Sequence, residues 1–256
     1  MSVYEIRDTK CLEKLFEGWQ ETLIWSCLQG YMGRAYADSV RSPKSAQIVV
    51  ADFCFFAGEV NSELVLNKPN DYKSNLIIMT SENDEWNNLI ERTYKERAKK
   101  VYRYAIKKET DIFDIVKLKR IVEDIKKPFS VHMIDEDIYN QVMGSKWSED
   151  LCSQFRDYDD YKKRGIGAVV MKDGEIVSGA SSYTVYKEGI EIEIDTRKDY
   201  RRKGLALACG AKLILECLNK GLYPSWDAQN KGSVALAEKL GYHFDKEYVA
   251  YEITDY

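Results

Sequence analysis

A strand, a basic glycine turn and a helix follow one another between residues 190 and 220, and this order constrains the fold more than any other segment. Residues 190–195 alternate isoleucine with acidic residues, as one strand would. Arg201-Arg202-Lys203-Gly204-Leu205-Ala206 follows, and then an apolar helical run to Lys220. The first N–H groups of a helix have no intrahelical partner and carry partial positive charge. The segment therefore predicts a site for a diphosphate group.

We expect the glycine and the cations of this turn to help bind a phosphate in different ways. Gly204 has no Cβ, so a phosphate can approach the main chain closely, and the neighbouring cations add charge at the same point. A Rossmann site is excluded, because the second and third glycines of that motif are missing and the preceding strands read as an antiparallel meander. The residues predicted to bind a cofactor here are Ile194, Asp195, Thr196, Arg201, Arg202, Lys203, Gly204, Leu205 and Ala206.

Composition limits the class of protein. The 256 residues carry a formal net charge of −4, which argues against nucleic acid as the main partner. No apolar run approaches the ~20 residues that a membrane-spanning helix needs, and the N-terminus lacks a signal-peptide pattern, so we expect a cytoplasmic protein without a membrane partner. Six scattered cysteines without a CxxC pair indicate reduced thiols, and two histidines exclude a multi-histidine metal site.

The first half of the chain reads as an α/β region of unknown role. Apolar spacing predicts helices over residues 9–29, 85–92 and 111–126, the last ended by Pro128. The nearly all-apolar run 47–56 predicts one buried strand, and residues 76–79 and 101–106 predict two more. The residue pattern of the chain changes after Pro128. We therefore place the domain boundary at this proline, with regions 1–127 and 128–256.

The second half predicts an antiparallel meander followed by helices. Strands are expected over 129–134, 165–171, 176–185 and 190–196, with a hairpin at Asp173-Gly174. A helix from Gly204 to Asn219, a strand over 223–227, a helix between Asn230 and Gly241 and a strand over 248–253 complete the order. The fold class is α+β, a mixed and mostly antiparallel sheet with helices on both faces.

Two motifs in this order resemble the GNAT superfamily of N-acetyltransferases. The family's [Gln/Arg]-x-x-Gly-x-[Gly/Ala] signature after its fourth strand matches Arg201-x-x-Gly204-x-Ala206. Its asparagine after the fifth strand, with a helix ending Glu-Lys-Leu-Gly-[Phe/Tyr], matches Asn230 and the run Glu238 to Tyr242. The resemblance covers residues ~165–253, and the added N-terminal region is similar to acetyltransferases of the zwittermicin-A-resistance type.

The resemblance implies an activity and its partners. It implies direct transfer of an acetyl group from acetyl-CoA, as cosubstrate, to a primary amine of a small molecule, with no covalent enzyme intermediate. Asn230 and Ser233 are expected near the cofactor. If the protein self-associates, we expect a homodimer. The alternative is a catalytically idle module that binds CoA or a partner protein.

The chemistry needs a base, because an alkylamine is mostly protonated at neutral pH. Glu191, then Glu193, are the candidates; both project to one face if the strand is regular, and a bulge would change that phase. The competing interpretation is that both are solvated surface carboxylates. Asp227 is a third candidate for the base, against a role as a turn or cap residue.

The acid that protonates the departing thiolate has several candidates in the sequence. The family commonly places a tyrosine three residues before the helix-ending leucine, and here Ala237 stands at that position. Tyr242, Tyr248 or water could replace it. Trp226 and Asp227 are the residues predicted to contact the acceptor, with core packing as the alternative for the tryptophan.

Overall fold

The computed structural model describes residues 2–256, which form thirteen strands and eight α-helices. The strands are β1 (Tyr4–Ile6), β2 (Arg34–Ala37), β3 (Ser45–Val50), β4 (Phe53–Gly58), β5 (Leu76–Ser81), β6 (Ala98–Ile106), β7 (Phe129–Met133), β8 (Gly167–Lys172), β9 (Glu175–Tyr186), β10 (Gly189–Thr196), β11 (Tyr223–Ser225), β12 (Asp227–Ala228) and β13 (Phe244–Thr254). The α-helices are α1 (Thr22–Leu28), α2 (Ser62–Leu66), α3 (Asp84–Tyr94), α4 (Ile115–Glu123), α5 (Glu136–Met143), α6 (Tyr158–Arg164), α7 (Leu205–Asn219) and α8 (Lys231–Leu240).

The chain divides into two compact units. The first unit comprises the residues up to Arg103 together with Glu247–Tyr256 from the end of the chain. The second unit is Tyr104–Lys246. The predicted boundary after residue 127 lies inside the second unit, between α4 and β7. The assignment of separate roles to residues 1–127 and 128–256 stays a prediction.

The first unit is built on a sheet in the order β1-β2-β3-β4-β5-β13. Its pairs are antiparallel apart from the parallel pair β4–β5. The buried rings of Phe56 and Trp86 stack in its core with centroids 4.9 Å apart, and the buried Tyr94 hydroxyl donates to the Val65 carbonyl. Burying aromatic side chains of this size supplies much of the favourable free energy of folding.

Two predictions in this unit are wrong. Residues 9–29 form a short 3-10 turn (Thr9–Leu12) and α1 instead of one helix, and Gly18 between them has φ +88°, which a helix cannot contain. The run 47–56 is two strands of a hairpin, β3 and β4, which reverse at Ala51 with φ +54°. Both strands are buried, so the apolar run continues through a turn that lacks the usual turn residues.

The second unit is built on a five-stranded sheet in the order β11-β10-β9-β8-β7. Its pairs are antiparallel apart from the parallel pair β10–β11. Asp173 and Gly174 both have positive φ at the β8–β9 reversal, which confirms the predicted hairpin turn.

Helices cover both faces of this second sheet, which confirms the mixed α+β fold. A Cβ built on Gly210 of α7 would lie 3.3 Å from the Ile194 side chain, so that isoleucine points at α7. Gly179 lies opposite Asp195, and a Cβ there would lie 2.5 Å from Leu151 in the 3-10 turn Glu149–Leu151. Successive β10 residues therefore alternate between α7 and the layer that holds this turn.

The ends of α8 follow the sequence signals. The Asn230 side chain accepts the Ser233 N–H at 3.0 Å as N-cap, and Gly241 closes the helix with φ +110°. Among residues 2–256 the structure has no helix long and apolar enough to cross a membrane, and no group of three or more metal-ligating side chains.

Candidate functional site

The N-terminus of α7 begins at a glycine in the left-handed conformation. Gly204 has φ +78° and ψ +2° and makes no side-chain cap, and α7 starts at the next residue. The neighbouring Arg202 is also left-handed, with φ +64°. Because Gly204 has no side chain, it does not cap the first N–H groups of α7, from Leu205 and Ala206 onward, and these groups present a partial positive charge. This local geometry suits an anionic group, as the sequence predicts.

Cationic side chains lie around this turn. The Arg201 Nε donates to the Thr196 carbonyl at 3.1 Å, and its guanidinium lies 3.8 Å from the Asp195 carboxylate. The Lys203 ammonium lies 4.7 Å from the centre of the Tyr200 ring. Arg201, at 61% side-chain exposure, and the exposed Lys203 can therefore reach a ligand in solvent.

The end of β10 supplies polar groups beside the turn. Burial raises the pKa of the Asp195 carboxyl, while the Thr196 N–H, which it accepts at 2.6 Å, and the Arg201 charge act in the opposite direction. The Thr196 hydroxyl shares a hydrogen bond of 2.7 Å with Ser178 on β9. The structure thus brings Asp195, Thr196 and Arg201 together next to Gly204.

The pairing between β10 and β11 ends halfway along β10. Their parallel register joins Gly189 to Tyr223, Ile190 to Pro224 and Glu191 to Ser225. β10 continues to Thr196 alongside β9, whereas the chain after β11 turns away and β12 pairs with β6. The predicted strand 223–227 is therefore two short strands, separated at Trp226. The two strand edges diverge at the point that the predicted base occupies.

Glu191 is buried in the row of residues where this divergence starts. It is 4% exposed, so the alternative interpretation as a solvated surface carboxylate is wrong for this residue. Burial raises the pKa of the Tyr186, Tyr223 and Tyr242 phenols, and the charge of Glu191 contributes to each shift. Three phenols from different segments therefore lie within electrostatic reach of one carboxylate.

A bulge is present at this point of the sheet, and it lies on the neighbouring strand β9. Glu191 pairs with Thr184 and Ile192 pairs with Ser182, which leaves Tyr183 of β9 as the additional residue. The alternation along β10 therefore continues, and Glu193, half-buried, lies opposite Ser181 on the face of the 3-10 turn and α6. Glu191 and Glu193 are kept on one face, as a regular strand requires.

Trp226 and Ser233 contact one another. The Trp226 Nε1 donates to the Ser233 hydroxyl at 3.1 Å, and its ring, 4% exposed, packs edge-on against Tyr242. The main-chain N–H of Ser233 donates to the side chain of Asn230, the N-cap of α8. These hydrogen bonds use all three side chains within the protein, so contact of Asn230 and Ser233 with a cofactor stays a prediction. Asp227 is half-buried and pairs with Ala105.

The residues considered as the acid lie in different settings. Ala237, where the resemblance expects a tyrosine, is fully buried. The Tyr242 hydroxyl is buried and donates to the Pro224 carbonyl at 2.6 Å, so its proton is held by the main chain. Tyr248 belongs to the first compact unit.

Sequence reasoning missed two hydroxyls beside Glu191. Thr184 and Ser225 are fully buried and lie directly opposite it on the two neighbouring strands. No local signal marks them, because the register of three strands brings them together. Tyr186, also missed, lies two residues from Thr184 on β9.

Comparisons with known proteins agree with this architecture. A GNAT acetyltransferase family model matches residues 13–251. The chain is 27% identical over 242 residues to the uncharacterized N-acetyltransferase YdfB of Bacillus subtilis (strain 168), covering 90% of this chain and 89% of that protein.

Solved structures show the same likeness over nearly the whole chain. A GCN5-related N-acetyltransferase-like protein from Streptococcus suis 89/1591 is 43% identical, with a TM-score of 0.89, covering 96% of this chain and 98% of that one. A GCN5-related N-acetyltransferase from Sphaerobacter thermophilus shares the fold at 11% identity, with a TM-score of 0.62 and coverage of 99% and 96%. The matched residues include most of the first compact unit as well as the glycine turn of the second. The chain therefore belongs to the GNAT acetyltransferase family and is an acyltransferase of the N-acetyltransferase type.

Proposed function

We propose that the protein transfers the acetyl group of acetyl-CoA to a primary amine of a small molecule. One observation carries the proposal: the N-terminus of α7 opens at the end of β10 without a side-chain cap, behind a left-handed Gly204. The main-chain N–H groups there would hold the cofactor pyrophosphate, with Arg201, Arg202 and Lys203 as additional cations.

The reacting carbonyl is proposed to lie where β10 and β11 diverge, beyond Glu191 and Ser225. Main-chain N–H groups that leave a strand pair can stabilise the negative charge of a tetrahedral intermediate. The amine nitrogen bonds to the thioester carbon, and the carbon–sulfur bond then breaks to release the thiolate. The side chain of Ile194 packs against α7, so only the main chain of this residue would face the cofactor.

Glu191 is the proposed general base. It lies on β10, at the point where β10 and β11 diverge. Because the side chain is buried, water does not fully solvate the carboxylate, and this suits a group that accepts a proton. Glu193 and Asp195 lie on the same face of β10, where their charge can attract a protonated amine before it reacts. Glu193 remains the second choice for the base and Asp227 the third.

The thiolate is proposed to take its proton from water. Ala237 offers no proton, and Tyr242 already donates to the Pro224 carbonyl. Trp226 supports the site by packing against Tyr242 more than by contact with the acceptor, since its ring is buried.

Two measurements test the function. Acetyl-CoA should raise the melting temperature of the protein, and release of free CoA thiol should depend on an added primary amine from a panel of small amines. Stabilisation without thiol release across the panel would favour the idle CoA-binding module, and no stabilisation would contradict the cofactor assignment. The zwittermicin-A-resistance-like subgroup, a homodimer and a cytoplasmic location stay predictions.

A further inference from the structure

A row of three buried polar side chains crosses the second sheet beside the divergence of β10 and β11. Thr184 of β9, Glu191 of β10 and Ser225 of β11 lie directly opposite one another in the register. Directly opposite residues of neighbouring strands project to the same side of a sheet, with Cβ atoms about 5 Å apart. The two hydroxyls therefore flank the carboxylate from both sides.

The two hydroxyls are placed where an apolar residue would normally be more favourable. Both residues are 0% exposed, and within residues 2–256 neither Thr184 Oγ1 nor Ser225 Oγ has a hydrogen-bond partner. Burial of a hydroxyl without a hydrogen bond is unfavourable, and most such groups in folded proteins bind another group or an ordered water. The two hydroxyls lie on either side of one carboxylate. These three groups together are the polar partners that a buried water requires.

We propose that Thr184 and Ser225 are positioning residues that hold the Glu191 carboxylate through bound water. The water in this proposal is a fixed part of the base and is not consumed in the reaction. Hydroxyls that donate toward a carboxylate, directly or through water, favour its charged form and fix its orientation. The inference rests on the proposed function, because it assumes that Glu191 is the base.

Titratable groups near Glu191 come from several segments of the second unit. Tyr186 of β9, Tyr223 of β11 and Tyr242 after α8 are the phenols that its charge affects, and Glu193 follows on the same strand. The Tyr242 hydroxyl donates to the Pro224 carbonyl at 2.6 Å, and the Tyr223 hydroxyl donates to the Lys107 carbonyl at 3.3 Å. Thr184 and Ser225 are therefore better placed than these two phenols to donate toward the carboxylate.

The test is the pH profile of kcat/KM for Thr184→Val and Ser225→Ala. Each variant removes a hydroxyl with little change of shape. We expect the rise of kcat/KM with pH to move to higher pH by about one unit, which is roughly a tenfold loss on the acidic side. Thr184→Ser, which keeps the hydroxyl, should restore the profile.

A matched control is available in the first unit. Thr80 of β5 is 3% exposed and donates to the Val249 carbonyl at 2.9 Å. Thr80→Val removes a buried strand hydroxyl in the same way, and we expect it to lower stability without moving the pH profile. If Thr184→Val fails to fold, Ser225→Ala carries the same test with a smaller change.

Two results would overturn the inference. If the hydroxyls have no partner at all, their removal relieves a desolvation cost, and the variants would be as stable as the wild type or more stable, with an unchanged pH profile. If the profile shifts equally when Thr184→Val is made in the Glu191→Gln background, the hydroxyls act elsewhere.

The outcome is separable from that of the proposed function. A Glu191→Gln variant with full activity removes the base assignment itself. A Glu191→Gln variant with a large loss, combined with silent hydroxyl variants, removes only the positioning role.

Discussion

Glu191 and Ser225 form the last register pair between β10 and β11. Beyond this pair β10 continues beside β9, and the chain after Ser225 leaves the sheet at Trp226 to form β12 with β6. This last pair therefore places Glu191, the proposed base, at the point where the two strands begin to separate. The main chain of β10 that follows, with Ile194 to Thr196, leads from there to the glycine turn.

Exchange of Glu191 for glutamine tests the base. Glu191→Gln should lower the acetylation rate about 100- to 10,000-fold while leaving CoA affinity unchanged, because it removes a proton acceptor and keeps the shape. The residual rate should recover at high pH, where free amine is abundant. The measurement is steady-state kinetics over a pH series with CoA affinity from calorimetry. A loss that appears only in Glu193→Gln would transfer the role of base to Glu193.

A charge at Gly204 tests the phosphate site. Gly204→Asp should raise the dissociation constant of CoA at least roughly tenfold, about 1.4 kcal/mol, by repulsion of the pyrophosphate. Gly221, beyond the other end of α7, is the matched control: it also has positive φ, +69° against +78°, and a Cβ meets nothing within 4 Å at either glycine. Gly221→Asp carries the same backbone strain, so equal loss of affinity in both variants would contradict the assignment.

Salt should weaken CoA binding. The exposed cations Arg202 and Lys203 attract phosphates across solvent, and this attraction is screened. We expect Arg202→Gln and Lys203→Gln each to weaken affinity about two- to fivefold at low salt and to reduce the salt dependence. Lys163→Gln, an exposed lysine on α6, should change neither quantity. A dissociation constant independent of salt in the wild type would count against cationic contacts.

The ion pair of Asp160 with Arg164 should make stability depend on pH. Two hydrogen bonds, Arg164 Nε to Asp160 Oδ1 at 2.7 Å and Nη2 to Oδ2 at 2.8 Å, lower the pKa of the aspartate below its ordinary value. Because the folded pKa is the lower one, the pair stabilises the fold above the unfolded pKa of about 3.9 and loses this effect as pH falls through the folded value.

Urea unfolding of Asp160→Asn over a pH series measures that effect. We expect a loss of about 0.5–1 kcal/mol near neutral pH, since the pair is partly exposed, and no difference from the wild type in strong acid. Asp159→Asn, at an exposed position of the same helix, is the control. A constant difference at every pH would assign the effect to the Arg156 N–H, which also donates to Asp160 at 3.2 Å.

The sequence by itself determined the features that depend on neighbours along the chain. The left-handed Gly204 at the start of α7, the Asn230 cap, the left-handed Gly241 and the Asp173-Gly174 hairpin are all local. Backbone sterics and short-range hydrogen bonds decide them, so residue types at fixed spacing are sufficient. The same local motifs carried the family resemblance and the general mechanism.

Only the tertiary structure decided which distant residues meet. The row of Thr184, Glu191 and Ser225 requires the register of three strands, and the bulge at Tyr183 could be expected but not assigned to β9. The reversal at Ala51 was hidden within a continuous apolar run. Register and burial are set by packing between segments far apart in the chain, and apolar pattern alone does not state which strand a residue will face.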